Sequence, residues 1–300
     1  MNSPKNNAAS IRQRLLNRAK TDGRPFNELL QYYAMERFLC RLSLSPHSGL
    51  FVLKGALMLR VWGSPEFRPI MDIDMLGNTS NQLADILAKV RDIMALEVEP
   101  DGIEFLLDSI RSERITEDAD YQGVRLRFLG MLGTARVNMQ LDIGFGDVVY
   151  PACIKSSFPT TLDSPSPELL CYSKESAIAE KFEAMVKLGT LNSRMKDFFD
   201  IWLLCQNFEF NSLVLAEAIR QTFANRGTLI FVPVEAFEQI FIDAKQKQWA
   251  AFCRRLQPNP APMAFEEVVA VLKTFLGPVF LELAQGHVQS KNWTANGPWS

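Results

Sequence analysis

In residues 70–76, IMDIDML, apolar and acidic side chains alternate strictly. Met71, Ile73 and Met75 fall on one side of an extended backbone, and Asp72 and Asp74 on the other. That is a strand with period two. Residues 50–54 (LFVLK), 103–107, 122–129 (QGVRLRFL) and 135–143 (ARVNMQLDI) are further strand candidates, the last two joined as a hairpin through GMLG. Elsewhere the apolar residues recur at three and four. This predicts helices over 8–20, 26–44 and 80–95 and a compact one in ALMLRVW, closed by Gly63-Ser64-Pro65. After the turn-rich stretch around Pro159, Pro165 and Pro167, nearly everything is helix-periodic: 173–188, 194–206, 211–224, 234–256 and 264–284. The expectation is an α+β chain, with a mixed sheet and flanking helices over 1–165 and a mostly helical domain over 166–300.

Composition narrows the class. Three hundred residues allow one large domain or two smaller ones, and 47% hydrophobic with 22% charged residues is ordinary for a soluble globular protein. The five cysteines are widely spaced with no CxxC pair, and the histidines are His47 and His287, which excludes a disulfide scaffold and argues against zinc. No run of about 18 apolar residues predicts a membrane span. The first twenty residues lack a signal peptide's apolar stretch. The expected setting is the reducing cytoplasm, with no membrane partner. The net charge of −2 hides an asymmetry: residues 1–70 carry +7 and residues 71–180 carry −10. Arg12, Arg14, Arg18, Lys20 and Arg24 recur at helical spacing through the basic N-terminal segment, either as a solvated face or as a contact for RNA or a protein partner.

Within the acidic stretch, Asp72 and Asp74 are two residues apart on one strand face, about 6–7 Å between Cα atoms. Carboxylates that close repel unless one is protonated or a cation lies between them, and a hard divalent ion such as Mg²⁺ resolves the conflict. Taken alone, the pair reads more readily as the polar face of a half-exposed strand than as a metal site. Upstream, Lys54-Gly55-Ala56 ends one strand and opens a helix, where bare backbone amides suit a phosphate. Downstream, Asp142 ends another strand in LDIGFGD. A turn, an Asp-x-Asp pair and a third aspartate, in that order, are the parts of a metal-dependent phosphoryl or nucleotidyl transfer site.

These segments resemble the AbiEii/AbiGii toxin family of nucleotidyltransferase-fold proteins, within the DNA polymerase β-like superfamily. LKGA at 53–56 is similar to the family's LKGG or LKGS signature, and Arg68 followed by Asp72-Ile73-Asp74 resembles its Arg-x-x-x-Asp-x-Asp segment. LDIGFGD at 141–147 resembles the third-carboxylate strand. SKESAIAEKFEAMV at 173–186 and RMKDFFDIWLL at 194–204 resemble two helices that follow, so the similarity runs from about 35 to 206. Ala56 stands where relatives carry Gly or Ser, removing a hydroxyl or a freer backbone. Pro69-Ile70-Met71 replaces the polar residue that often precedes the first aspartate.

The resemblance implies a nucleotidyltransferase-type mixed sheet followed by a helical domain that completes an active-site cleft. It implies a Mg²⁺-dependent enzyme that transfers a nucleotide from a nucleoside triphosphate to an RNA, transfer RNA above all, or to a protein. Such an enzyme acts as the toxin of a type IV-like toxin–antitoxin or abortive-infection system, beside a cognate antitoxin. Carried across, Asp72, Asp74 and Asp142 hold the metal, and these three with Lys181 and Asp200 are catalytic. Lys54, Gly55, Ala56, Arg68, Lys181, Lys196 and Asp197 bind the nucleotide. On the residues alone, Asp197 and Asp200 share one helical face, and also fit as acids in a helix's first turn. Glu180, Lys181 and Glu183 fit an ordinary charged helix face as well. Arg68 suits a salt bridge or a phosphate equally, and Arg125 and Arg127 alternate on one strand face flanking the acids. Two other readings stay open: a catalytically weakened nucleotide-binding interaction module, and a metal-dependent nuclease built on the same acids.

Overall fold

Side-chain alternation decides the first half of the fold. A computed structural model describes residues 4–65, 67–118, 121–256 and 258–300, and the chain divides into two compact units. The first comprises the chain up to Gly63, Pro69–Gly146 and Ile154–Cys171. Its elements are helices α1 (Pro4–Asp22) and α2 (Phe26–Leu44), strand β1 (Phe51–Lys54), a 3₁₀ turn (Gly55–Leu57) running into α3 (Met58–Val61), strand β2 (Ile73–Gly77) and helix α4 (Leu83–Ala95). Strands β3 (Ile103–Asp118), β4 (Tyr121–Leu132), β5 (Ala135–Phe145), β6 (Ile154–Ser157) and β7 (Glu168–Cys171) follow. Together β1–β7 form one mixed sheet in the order β3-β4-β5-β2-β1-β7-β6. The β2/β5 and β1/β7 pairs are parallel and the rest antiparallel.

The sheet separates its two faces by chemistry around β2 and β5. Leu53, Ile73, Met75, Val124, Leu126, Leu141 and Ile143 share one face through the register, and each is at most 2% exposed. Helix α2 packs on β5 and β7, and Phe38 from it meets Phe105 and Phe128 edge-on and tilted. Arg41 pins the end of α2 to the start of β3, giving two N–H bonds to Asp101 (2.6 and 3.1 Å) and one to the Ile103 carbonyl (3.0 Å). Lys54, Asp74, Asp142, Arg125, Gln140 and Arg127 project from the opposite face.

Strand β3 runs to Asp118, well past the expected 107, and the helix expected over 234–256 is Gln239–Cys253; two further expectations change beside the acidic strand. The hairpin turn is Gly133-Thr134, because β4 continues through Leu132; Gly133 takes the positive φ of 61° that a two-residue hairpin needs. Strand β2 begins at Ile73 rather than residue 70. The Ile70 amide donates to the Tyr32 hydroxyl, and the Met71 carbonyl accepts from Gln31, so α2 side chains take the backbone groups a ladder would use. Met71 is therefore 55% exposed and is not on the core face with Ile73 and Met75.

The second unit comprises Ser64–Arg68, Asp147–Cys153 and Tyr172–Ser300. It holds helices α5 (Lys174–Leu188) and α6 (Met195–Asn207), strand β8 (Phe210–Asn211), helices α7 (Ser212–Asn225), α8 (Gln239–Cys253) and α9 (Phe265–Ala284), and strand β9 (Asn292–Trp293). Ser173 caps α5 by accepting from the Ser176 amide, and Asn211 caps α7 by accepting from Leu213 and Val214. The core is aromatic: Phe182 meets Phe223, Phe237 and Phe280, while Phe198 meets Phe241 and Phe265. All five cysteines are free thiols. No helix among the described residues is long and apolar enough to cross a membrane.

Candidate active site

Register assembles the first cluster. Lys54 on β1 lies across from Asp74 on β2, Asp74 across from Asp142 on β5, and Asp142 across from Arg125 on β4. Residues opposed across adjacent strands share a face, so these four form one row, cation–acid–acid–cation, across the middle of the sheet. Asp72, just before β2, joins the two acids. One carboxylate oxygen from each of Asp72, Asp74 and Asp142 lies within 4.8 Å of the others. At an effective dielectric near 20, two charges that far apart repel by about 3 kcal/mol. The cluster is therefore costly without a counter-charge. A divalent ion with oxygen bonds of about 2.0–2.6 Å has ligands no more than roughly 5 Å apart, and an all-oxygen donor set of this span suits a hard cation such as Mg²⁺.

Gly55 completes the floor of this cluster. Its φ is 69°, and a Cβ built there falls 2.0 Å from Asp74 Oδ2 and 2.7 Å from Asp74 Cβ and Cγ. Only a residue without a side chain lets the turn lie against that carboxylate. The helix expected after it is short, a 3₁₀ turn and one turn of α-helix. Any preference for an anion at Gly55 and Ala56 thus comes from local amides rather than a macrodipole, which needs aligned turns. Ala56 and Lys54 are both half-buried.

Asp142 is engaged on both oxygens. Arg125 donates from Nε to Oδ1 (2.8 Å) and from Nη2 to Oδ2 (2.7 Å), and Gln140 donates to Oδ2 at 3.2 Å. These hydrogen bonds to Asp142 raise the pKa of Arg125 beyond its ordinary value, with burial opposing and the charges of Asp142, Glu113 and Asp72 adding. Of the two arginines flanking the acids, Arg125 grips the cluster. Arg127 bonds Glu113 at 2.9 Å.

The second unit contains its own ion-pair network. Lys181 on α5 donates to Asp197 Oδ1 and Asp200 Oδ2 on α6, both at 2.9 Å. Arg68 bonds both oxygens of Asp200 (3.2 and 3.0 Å), and Arg194 lies 2.8 Å from Asp197 Oδ2. Burial pulls the Lys181 ammonium down, but the charges of Asp197 and Asp200 outweigh it, so its pKa is raised. Burial pushes the Asp200 carboxyl up, and Arg68 first, then Lys181, more than offset this and hold it low. The two aspartates are only 2–3% exposed, and Asp197 also lies in the first turn of α6. Lys196 is exposed on α6 and stands outside this network.

A depressed Asp200 contributes stability that is present above its ordinary pKa of 3.8 and is lost as pH falls through the lower folded value. Asp200→Asn is expected to cost about 3 kcal/mol at pH 7, because it leaves two partly buried cations short of a partner. The gap to wild type should narrow below pH 4 in denaturant titrations; an equal gap at pH 7 and pH 3 would contradict the assignment.

A further network escapes sequence inspection. Arg226, just past α7, bonds Asp147 (2.9 Å) and Glu183 (3.0 Å) and lies 3.6 Å from Glu180, while Thr228 donates to Glu183. Glu183 is 2% exposed, so α5 does not present an ordinary charged face here. The sole local signal is the i, i+3 spacing of Glu180 and Glu183.

The family model described as nucleotidyl transferase AbiEii toxin, type IV toxin–antitoxin system, matches residues 37–271. No curated protein matches the chain. Among solved structures, the chain is similar to JHP933 from Helicobacter pylori, at 14% identity and TM-score 0.48, covering 86% of this chain and 94% of that one. It is also similar to MenT4, a nucleotidyltransferase toxin from Mycobacterium tuberculosis H37Rv, at 14% identity and TM-score 0.49, covering 94% and 99%.

Proposed function

The chain belongs to the AbiEii family of nucleotidyltransferase toxins of type IV toxin–antitoxin systems, and from that premise we propose that it moves a nucleotide from a nucleoside triphosphate to a hydroxyl of an RNA acceptor, with Mg²⁺ held by Asp72, Asp74 and Asp142. The observation that carries this reading is the meeting of three carboxylates within 4.8 Å beside a glycine that alone leaves room for one of them. Bound Mg²⁺ supplies stabilisation of negative charge on the phosphate oxygens. The acceptor hydroxyl oxygen bonds to the α-phosphorus, the α-phosphorus to bridging-oxygen bond breaks, and pyrophosphate leaves. Asp142 takes the hydroxyl proton. The family resemblance gives Lys181 the triphosphate, and within its own unit the ammonium donates to Asp197 and Asp200. Arg68 and the two aspartates hold that ammonium in place and charged. Transfer RNA is the acceptor class to which the family resemblance points, and the toxin role implies a cognate antitoxin.

Incubation with α-labelled nucleoside triphosphates, an RNA pool and Mg²⁺ should place label in RNA. Chelation should prevent this, and γ-label should stay out of RNA because pyrophosphate leaves. RNA fragments released without nucleotide would replace this reading with a nuclease. Tight nucleotide binding with no transfer to RNA or protein would replace it with a binding module.

A further inference from the structure

The row across the sheet holds Asp74 and Asp142, with Asp72 beside them, and ends in a guanidinium that already neutralises Asp142. Asp142 uses both oxygens on Arg125, in the bidentate geometry that makes Arg–carboxylate pairs strong. A divalent cation entering among Asp72, Asp74 and Asp142 meets a fixed positive charge on one of its ligands. It therefore binds less well than the same acids without the guanidinium would allow. Arg125 also has somewhere to go. Its side chain is 28% exposed, and Glu113, 48% exposed, lies 3.9 Å from Nη1 on the neighbouring strand β3. A triphosphate arriving with the cation would offer the displaced guanidinium a second anionic partner.

We infer that Arg125 is the resident counter-ion of Asp142 within the three-aspartate centre, holding that carboxylate until cation and nucleotide arrive together and so making cation binding contingent on nucleotide. This rests on the reading of the three aspartates as a cation site. It assigns Arg125 a positioning and gating role on this chain's own carboxylates. In the absence of both ligands it keeps the acids compatible with a folded sheet. In their presence it releases Asp142 as a ligand.

The test is Mn²⁺ binding followed by electron paramagnetic resonance, with and without a non-hydrolysable nucleoside triphosphate, on wild type, Arg125→Gln, Arg125→Lys and Asp74→Asn. Wild type should bind Mn²⁺ weakly alone, and at least about tenfold more tightly with the nucleotide analogue, a coupling of ordinary size. Arg125→Gln should bind Mn²⁺ alone at least about tenfold more tightly than wild type, with little further gain from nucleotide. Arg125→Lys, which keeps the charge but loses the fork, should fall between. Thermal melting in chelator and in Mn²⁺ gives a second readout: Mn²⁺ should raise the melting temperature of Arg125→Gln more than that of wild type. Mn²⁺ affinity in Arg125→Gln no higher than in wild type, with binding lost in Asp74→Asn, would overturn the gating role and leave the metal site standing. No Mn²⁺ binding to any of the four proteins, even with nucleotide, would overturn both.

Discussion

Asp74→Asn is expected to abolish nucleotidyl transfer, by about 100-fold or more in rate, while leaving the chain folded. Asp74 sits at the centre of the row, opposite Asp142 on one side and Lys54 on the other, within ligand distance of Asp72. Replacing one carboxylate oxygen by an amide nitrogen removes a hard anionic donor and leaves the volume almost unchanged. It also removes one of three crowded negative charges. The melting temperature in chelator should therefore stay within about 4 °C of wild type, a change of less than about 1 kcal/mol. Loss of transfer with retained fold is the signature of acids kept together for a ligand rather than for stability. A variant with wild-type label transfer would remove Asp74 from the mechanism.

Gly55→Ala is expected to lose transfer to a similar degree by another route, and to lose stability as well. An L-residue at a φ of 69° carries a cost of roughly 1–2 kcal/mol. The new Cβ would fall 2.0 Å from Asp74 Oδ2, so either the turn or the carboxylate must move. Overpacking of this kind adds about 1–3 kcal/mol. The variant should melt lower than both wild type and Asp74→Asn, and should bind Mn²⁺ poorly with or without nucleotide. Normal stability together with normal transfer would mean that the turn does not lie against the carboxylate.

Much of this is legible in the amino-acid sequence. Helix α2 lies at the residues its periodicity predicts, and α5, α6, α7 and α9 start or end within a residue or two of theirs, because each carries an amphipathic stripe. The Asp-x-Asp alternation predicts a strand and a shared acidic face. What it does not contain is register. That Asp74 lies beside Asp142 depends on a parallel pairing of β2 with β5 across more than sixty residues of intervening chain, a contact no local pattern encodes. The same is true of Arg125, whose place opposite Asp142 follows from the antiparallel β4/β5 hairpin.

The misplacement of Met71 and the unread Arg226 network share one cause. Local pattern predicts which groups prefer burial, whereas tertiary partners decide where polar groups are satisfied. Gln31 and Tyr32 of α2 take the hydrogen bonds that would have extended β2 to residue 70. Arg226 pairs with the buried carboxylates of Glu183 and Asp147, so Glu183 is not part of an ordinary charged helix face. Lys181, Asp197 and Asp200 are similar: their spacing does not contain the burial and mutual pairing that the fold gives them.

Crystals soaked with Mn²⁺ and a non-hydrolysable nucleoside triphosphate provide the most direct check of the central claim. The anomalous signal of Mn²⁺ should place a peak within about 2.0–2.6 Å of carboxylate oxygens from Asp72, Asp74 and Asp142 together. Density for the phosphates should meet the same ion. A nucleotide bound with no Mn²⁺ peak at these three side chains, or a peak elsewhere on the chain, would contradict it.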